Sequence, residues 1–181
     1  MNSLSKTIAS YAIWACTASL FGMNLTLAQP VELPAAKLAG TSKLRVFGFE
    51  VYDARLWVSP GFKRNDYSQS ASALELTYLR NFKGAVIAER SLKEMRRVEP
   101  FSESLAKQWL ADMTAVFPNV KVDDRLTGIY IPGAGLRLLF NDKPLAELKD
   151  PVFARVFMGI WLSPKTSERA MRDELLADAE P

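Results

Sequence analysis

The stretch Glu50–Val58, EVYDARLWV, decides the fold class because its side chains alternate with the two-residue period of a β-strand. Its two faces carry Tyr52, Ala54, Leu56 and Val58 on one side and Val51, Asp53, Arg55 and Trp57 on the other. The first face is typical of a core that contains one phenol. The second places a carboxylate and a guanidinium between apolar neighbours, and such charges are usually paired or lie at a cleft. We therefore expect a sheet protein whose ligand site begins on this strand.

The rest of the chain alternates between strand-like and helix-like segments. Short runs of apolar residues between turn residues predict five strand segments. They are Leu44–Val58, Ala73–Arg80, Thr127–Ile131, Gly135–Phe140 and Pro144–Leu148. The first of these is either one bent strand or two strands that meet at a turn or bulge at Gly48. Segments with helical spacing predict helices at Gly84–Arg97, from an N-cap at Ser102 to about Phe117, from Pro151 to about Leu162, and from Thr166 or Ser167 to Leu176.

This order of elements predicts an α+β domain in which helices cover one face of an antiparallel sheet, while the other face is partly solvated. The helix at Val152–Leu162 is apolar almost all round, which predicts burial on both sides. We expect its Met and Phe side chains to pack in the core, and the alternative is that they line an apolar cavity.

The amino terminus predicts export. Residues 1–28 resemble a secretory signal peptide, with Lys6 before a largely apolar stretch and the small residue Ala28 before Gln29. We expect cleavage near Ala28, a periplasmic location, and one domain over residues 29–181. The alternative is a retained transmembrane anchor, because the apolar stretch is about long enough to span a bilayer.

Composition excludes several kinds of chemistry. The chain has no histidine, and its only cysteine, Cys16, lies in the leader. The mature domain therefore has no disulfide, no thiol nucleophile, no Cys/His zinc site and no histidine-based triad. The formal net charge of +3 is mild, and export argues against a nucleic-acid partner. We predict no metal and no cofactor.

Four segments resemble the bacterial chalcone isomerase-like proteins. They are FGFEVYDARLWV, ALELTYLRNFKGAVIAERSLKEMRR, LTGIYIPGAGLRLLFN and FARVFMGIWLSPKTSERAMRDELL, which together span roughly Gly40–Leu176. The resemblance implies an open-faced β-sandwich, a large antiparallel sheet with helices packed on one face. It also implies a ligand cleft between the sheet and two of the helices.

The resemblance also implies where a catalytic site would lie. Plant chalcone isomerases close a flavanone ring with an arginine, a strand threonine, a helix tyrosine and asparagine, and a late pair of residues. The corresponding positions here are Arg45 (or Ser42 or Lys43), Tyr52, Ile87 with Glu94, and Phe157 with Met158. Relatives without that catalytic set can be fatty-acid binders in which a basic residue and a tyrosine hold the carboxylate.

We single out six candidate ligand-binding residues: Arg45, Tyr52, Tyr78, Arg80, Phe157 and Met158. A guanidinium beside a phenol suits a carboxylate or phenolate. The alternative is that both tyrosines are core rings with a hydrogen-bonded hydroxyl and that both arginines are solvated strand ends. We interpret three further charged residues, Asp53, Arg55 and Arg137, as a structural ion-pair network rather than a catalytic group. We interpret the charged residues of the first predicted helix as a charged helix face; they are Glu89, Arg90, Glu94 and Arg97.

Three functions fit these observations. The first is an exported, non-catalytic binder of a small apolar anion, such as a fatty acid or aromatic acid. The second is an intramolecular lyase or isomerase of the chalcone–flavanone type, which Arg and Tyr could serve by orientation and anion stabilisation. The third is a structural or interaction module of the cell envelope. We expect no stable membrane insertion once the leader is removed.

Overall fold

The computed structural model describes residues 33–181, so the predicted signal peptide and its cleavage site lie outside the described residues. The strands are β1 Lys37–Val46, β2 Phe49–Val58, β3 Ser72–Tyr78, β4 Arg125–Ile131, β5 Gly135–Phe140 and β6 Lys143–Leu148. The helices are α1 Gly84–Val98, α2 Glu103–Val116, α3 Pro151–Leu162 and α4 Arg169–Leu175. No helix within this range has both the length and the apolar character to cross a bilayer.

The strands form one antiparallel sheet in which each strand pairs with the next along the chain, in the order β1 to β6. In the register between β2 and β3, Tyr52 is opposite Tyr78 and Leu56 is opposite Leu74. Side chains of the same kind therefore share a face, as the period-two pattern requires. The predicted α+β architecture, an open antiparallel sheet with helices on one face, is confirmed.

The core lies between this sheet and the helices. Ala54, Leu56 and Val58 of β2 are buried there together with α3. The predicted burial of α3 on both sides is confirmed, because Phe153, Phe157 and the rest of its apolar positions are nearly all inaccessible to solvent. Asp150 caps this helix by accepting hydrogen bonds from the backbone N–H groups of residues 152 and 153.

The other face of the sheet carries a smaller apolar cluster and a set of ion pairs. Trp57, Ala73, Ile129 and Leu139 pack there under Leu33 and Ala36. The ion pairs are Lys43–Asp53 at 3.5 Å, Arg55–Glu75 at 3.2 Å and Arg137–Glu147 at 3.0 Å. The charges of β2 are thus paired structurally, as expected. Asp53 and Arg55 pair with residues of neighbouring strands rather than with Arg137.

Several boundaries differ from the sequence prediction by a few residues, and two of the differences have a structural reason. β1 begins at Lys37 rather than Leu44, because its polar stretch Thr41–Lys43 hides the strand pattern while its backbone still pairs with β2. α4 begins at Arg169, whereas the sequence predicted a start at Thr166 or Ser167. The Thr166 hydroxyl donates to the Ile160 carbonyl at 2.6 Å and accepts from the Glu168 N–H, so it organises the turn before α4 rather than capping the helix.

Candidate ligand-binding cavity

A cavity of about 330 Å³ lies between the sheet and the helices α1 and α3. Its walls are mostly apolar and include Leu44, Leu76, Phe82, Ile87, Leu126 and Phe157. This volume is at the lower end of the ~300–1,000 Å³ range of small-molecule sites, and apolar walls with few polar groups are typical of such sites. The geometry therefore suits a small, predominantly apolar molecule.

One end of the cavity is polar. The indole Nε1–H of Trp161 donates a hydrogen bond to the Tyr52 hydroxyl at 2.9 Å. Arg90, Glu94 and Glu168 line the same cavity and are close enough to Tyr52 to affect its pKa. A ligand with an apolar body and one polar head could therefore place that head among hydroxyl, guanidinium and carboxylate groups.

Helical spacing brings two charged residues of α1, Arg90 and Glu94, to this cavity. Ile87, Arg90, Ser91 and Glu94 recur at three- and four-residue intervals, so they lie on one face of the helix. Arg90 and Glu94 are interpreted above as part of a charged helix face; Arg90 is largely exposed, whereas Glu94 is only 6% exposed. The signal that could have identified them is their spacing from the apolar residue Ile87.

Glu94 organises the charges at this end. Its carboxylate oxygens lie 2.9 Å from Arg90 Nη2 and 3.3 Å from Arg97 Nε. The Ser167 hydroxyl, which precedes α4, donates to Glu94 Oε2 at 2.9 Å. A buried carboxylate is costly unless it is paired in this way. Glu94 therefore fixes the position of Arg90 at the cavity and ties α1 to the segment before α4.

The two tyrosines at the cavity are held as neutral phenols. Burial raises the pKa of Tyr52 well above its usual range, although the hydrogen bond from Trp161 acts in the opposite direction. Burial also raises the pKa of Tyr78, and the neighbouring Tyr52 adds to that effect. Both hydroxyls therefore keep their protons at neutral pH and can act as hydrogen-bond donors rather than as bases.

Three of the six predicted site residues line the cavity. Tyr52 and Tyr78 pack edge to face from neighbouring strands, with ring centroids 6.0 Å apart. Phe157 reaches the cavity from α3 and stacks on Phe153, with ring centroids 5.6 Å apart. These residues approach each other because β2, β3 and α3 all present their apolar faces to the same space.

The other three predicted residues lie elsewhere. Arg45 is opposite Glu50, next to a bulge at which β2 has the extra residue Val51, and it pairs with Glu50 at 2.9 Å on the side of the sheet that carries Lys43. Arg80 lies beyond the end of β3, with its guanidinium carbon 4.8 Å from the centroid of the Phe49 ring.

Met158 is fully buried in the core, one helical position away from the residues of α3 that face the cavity. The expected position of Arg45, Arg80 and Met158 at the cavity is therefore wrong. The cation found there is Arg90.

Comparisons with known proteins agree with this architecture. A family model described as chalcone isomerase-like matches residues 17–177. An uncharacterized protein of Haemophilus influenzae is 29% identical over 160 residues, which cover 87% of this chain and 76% of that protein.

Among solved structures, a fatty-acid binding protein of Arabidopsis thaliana is similar in fold. Its TM-score is 0.61 at 11% sequence identity, and the match covers 79% of this chain and 87% of that one. At this level of identity the likeness establishes a shared fold.

Proposed function

The chain belongs to the chalcone isomerase-like family, and we propose that it is a non-catalytic binding protein for a small apolar anion. The ligand class is a fatty acid or an aromatic acid. Its apolar part would occupy the space between the sheet and the helices, and its carboxylate would lie at the polar end.

The cavity is the observation that carries this proposal. A structural module with no ligand would be expected to fill the space beneath Phe157, because native interiors are close-packed. Here that space is an apolar hollow of about 330 Å³ with one polar end. The Arabidopsis thaliana protein of the same fold is a fatty-acid binding protein, which makes fatty acids the first class to test.

Arg90 and Tyr52 are the proposed ligands of the carboxylate. A guanidinium can form two parallel hydrogen bonds to a carboxylate, and a protonated phenol can donate a third. The Tyr52 oxygen accepts a hydrogen bond from the Trp161 indole N–H, so the phenolic proton of Tyr52 is available to donate to a ligand. Arg90 is also held by Glu94, so a bound carboxylate would share this cation with a protein carboxylate.

Binding is favoured over isomerase chemistry by the state of the tyrosines. Proton transfer to or from a chalcone substrate needs a group whose pKa lies near the working pH. Burial moves the pKa of Tyr52 and Tyr78 away from that range. The two phenols are therefore better suited to holding a ligand than to exchanging protons with it.

Export is part of the proposal. Residues 1–28 would direct the chain out of the cytoplasm and be removed near Ala28, so that the domain binds its ligand in the periplasm. The intact mass of the protein from its native host, measured by mass spectrometry, tests this point. A mature amino terminus at Gln29 supports it, and an intact leader contradicts it.

Ligand extraction and thermal denaturation test the binding function. Purified protein is extracted with organic solvent for mass spectrometry, and its melting is followed with saturated acids of increasing chain length, aromatic acids and the matching alcohols. An acid that binds should stabilise the fold by about 2.7 kcal/mol at a hundredfold excess over its Kd, and the alcohol of equal length should stabilise it less at the same concentration. An empty extract together with no stabilisation by any acid would contradict the proposal.

A further inference from the structure

The tip of the hairpin between β1 and β2, Val46–Phe49, carries the two most exposed large apolar side chains among the described residues. Phe47 is 96% exposed and Phe49 is 60% exposed. The tip also adjoins the cavity, because Val46 lines the cavity wall and is itself exposed, as is Val86 in the first turn of α1. The apolar tip therefore lies beside the opening of the cavity.

The backbone of this tip is unfavourable for the residue that occupies it. Phe47 and Gly48 have φ values of 50° and 81°, the left-handed pair of a type I′ turn, where Asn-Gly is the preferred sequence. The hairpin between β5 and β6 meets the same requirement with Asn141 and Asp142, at φ 49° and 65°. A bulky residue in this region is an outlier that costs about 1–2 kcal/mol.

Packing within the chain does not offset that strain, because the Phe47 ring is almost fully exposed to solvent. Backbone strain concentrates at functional positions, and an exposed aromatic ring at such a position points to a contact outside the chain.

The charges beside the tip indicate the partner. The Arg80 guanidinium lies over the Phe49 ring at 4.8 Å and forms no ion pair within residues 33–181. Arg45 adjoins the tip on its other side, paired with Glu50. Aromatic rings flanked by guanidinium groups suit a lipid interface, where rings lie at the boundary of headgroups and acyl chains and guanidinium groups meet phosphates.

We propose that the hairpin tip docks this protein on the surface of a lipid bilayer. Phe47 and Phe49 enter the interface, and Arg80 binds lipid phosphate. The contact is peripheral, since only a turn and its flanking residues reach the lipid. Docking places the cavity opening against the bilayer, so an apolar ligand passes between lipid and cavity without crossing water. That last consequence rests on the proposed function, whereas docking itself does not.

Vesicle flotation of the full chain tests the docking. The vesicles contain phosphatidylethanolamine and phosphatidylglycerol, and no free fatty acid is added, so docking and ligand binding can fail independently. The Phe47→Asn variant creates Asn-Gly in the turn and should fold at least as well as the wild type. It should lower vesicle affinity about ten- to a hundredfold, the factor that burial of one phenyl ring supplies.

The control is Val152→Asn, because Val152 is an exposed apolar residue at the other end of α3 from the cavity residue Trp161. This variant should leave vesicle affinity unchanged. Equal flotation of the wild type and Phe47→Asn would overturn the proposal.

A local probe separates the tip from the amino-terminal leader, which all variants share. Because the chain already has four tryptophans, including Trp14 in the leader, quenching is taken as the difference from the wild type. The fluorescence added by Phe47→Trp should be quenched by brominated lipid, whereas the fluorescence added by Val152→Trp should not. Equal quenching at the two positions would overturn the proposal. Light scattering without vesicles covers the alternative partner: self-association that Phe47→Asn abolishes would assign the tip to a second copy of this chain and would also overturn it.

Discussion

Trp161 and Tyr52 are joined by a hydrogen bond of 2.9 Å from the indole Nε1–H to the phenolic oxygen, and this bond connects α3 to β2 at the polar end of the cavity. Both side chains also line the cavity wall. The contact therefore contributes to the packing of the helix on the sheet and to the chemistry offered to a ligand.

Replacing Tyr52 with Phe should weaken both the fold and ligand binding. The substitution leaves the buried Trp161 N–H without an acceptor, which should lower the free energy of unfolding by about 1–3 kcal/mol in urea denaturation. It also removes the phenolic donor proposed for the ligand. Tyr130→Phe is the control, since Tyr130 donates to the Ser68 carbonyl away from the cavity. That variant should lose stability and retain affinity, and equal affinity in the two variants would contradict the assignment.

Arg90→Gln should lower affinity for a fatty acid about tenfold or more, because a hydrogen bond to a charged group contributes about 1.5–3 kcal/mol. The free energy of unfolding should also fall, because the buried Glu94 carboxylate then keeps only Arg97 as an arginine partner. Titration calorimetry measures the affinity. Arg96→Gln is the matched control on the same helix, where Arg96 pairs with Glu103 instead. If both variants bind equally well, Arg90 is not the head-group ligand.

Glu94→Gln should change affinity in the opposite direction. Loss of the carboxylate removes a negative charge that now holds Arg90 at 2.9 Å, so the guanidinium becomes more available to an anionic ligand. We expect the dissociation constant of a fatty acid to fall, while that of the matching alcohol stays the same. Unchanged or weaker acid binding, measured beside the alcohol, would show that Glu94 does not compete with the ligand.

Gly159 is required for the contact between α3 and α1. A Cβ at this position would lie 2.6 Å from Val98 Cγ1 and 2.6 Å from the Tyr67 hydroxyl oxygen. Gly159→Ala should therefore destabilise the fold by about 1–3 kcal/mol through overpacking. Gly128→Ala makes the same substitution where the nearest atom would be at an ordinary 3.5 Å. Denaturation midpoints compare them, and equal stability would show that the helices can separate freely.

The pair between Glu99 and Arg155 should make stability depend on pH. Two hydrogen bonds of 2.7 and 3.1 Å join the side chains, and the bond from Arg155 is the main cause that lowers the Glu99 pKa below its ordinary 4.5. A lowered pKa contributes stability above the unfolded value, and that stability is lost as pH falls through the folded pKa.

The Glu99→Gln variant tests this dependence. It should cost about 0.5–1 kcal/mol at neutral pH, a figure reduced for the partial exposure of the pair. The cost should disappear in acid, where the wild-type carboxyl is also protonated. Urea denaturation across the acid range measures the difference, and a cost that stays constant with pH would contradict the linkage.

Sequence periodicity predicted most of the fold because each element carries its own pattern. The alternation in β2 separates the Tyr52 face from the Asp53 face, and the same separation is found in the sheet. The Asp150 cap and the apolar α3 were likewise readable locally. The polar start of β1 was not, because its strand conformation depends on pairing with β2 rather than on its own residues.

At the candidate site, the tyrosines and the aromatic residue of the cavity wall could be predicted from the sequence, but the arginine that lines the cavity could not. Tyr52, Tyr78 and Phe157 lie on apolar faces, and such faces meet in the core. Arg45 was a candidate from its place beside β2, yet it alternates with Leu44 and Val46, which line the cavity, and Glu50 pairs with its guanidinium on the other side. The alternation within β1 indicates that side, whereas the position of Glu50 depends on the extra residue Val51 in β2.

The amino-acid sequence by itself determined most of the strands and helices and which side of each element is apolar, because both follow from local spacing; the polar start of β1 is the exception. Tertiary structure decided that a cavity remains between the sheet and the helices. It also decided that Arg90, rather than Arg45 or Arg80, lies at the polar end of that cavity. The reason is that a void and its lining depend on how α1 and α3 dock over the sheet, and docking is set by contacts between residues far apart in the chain.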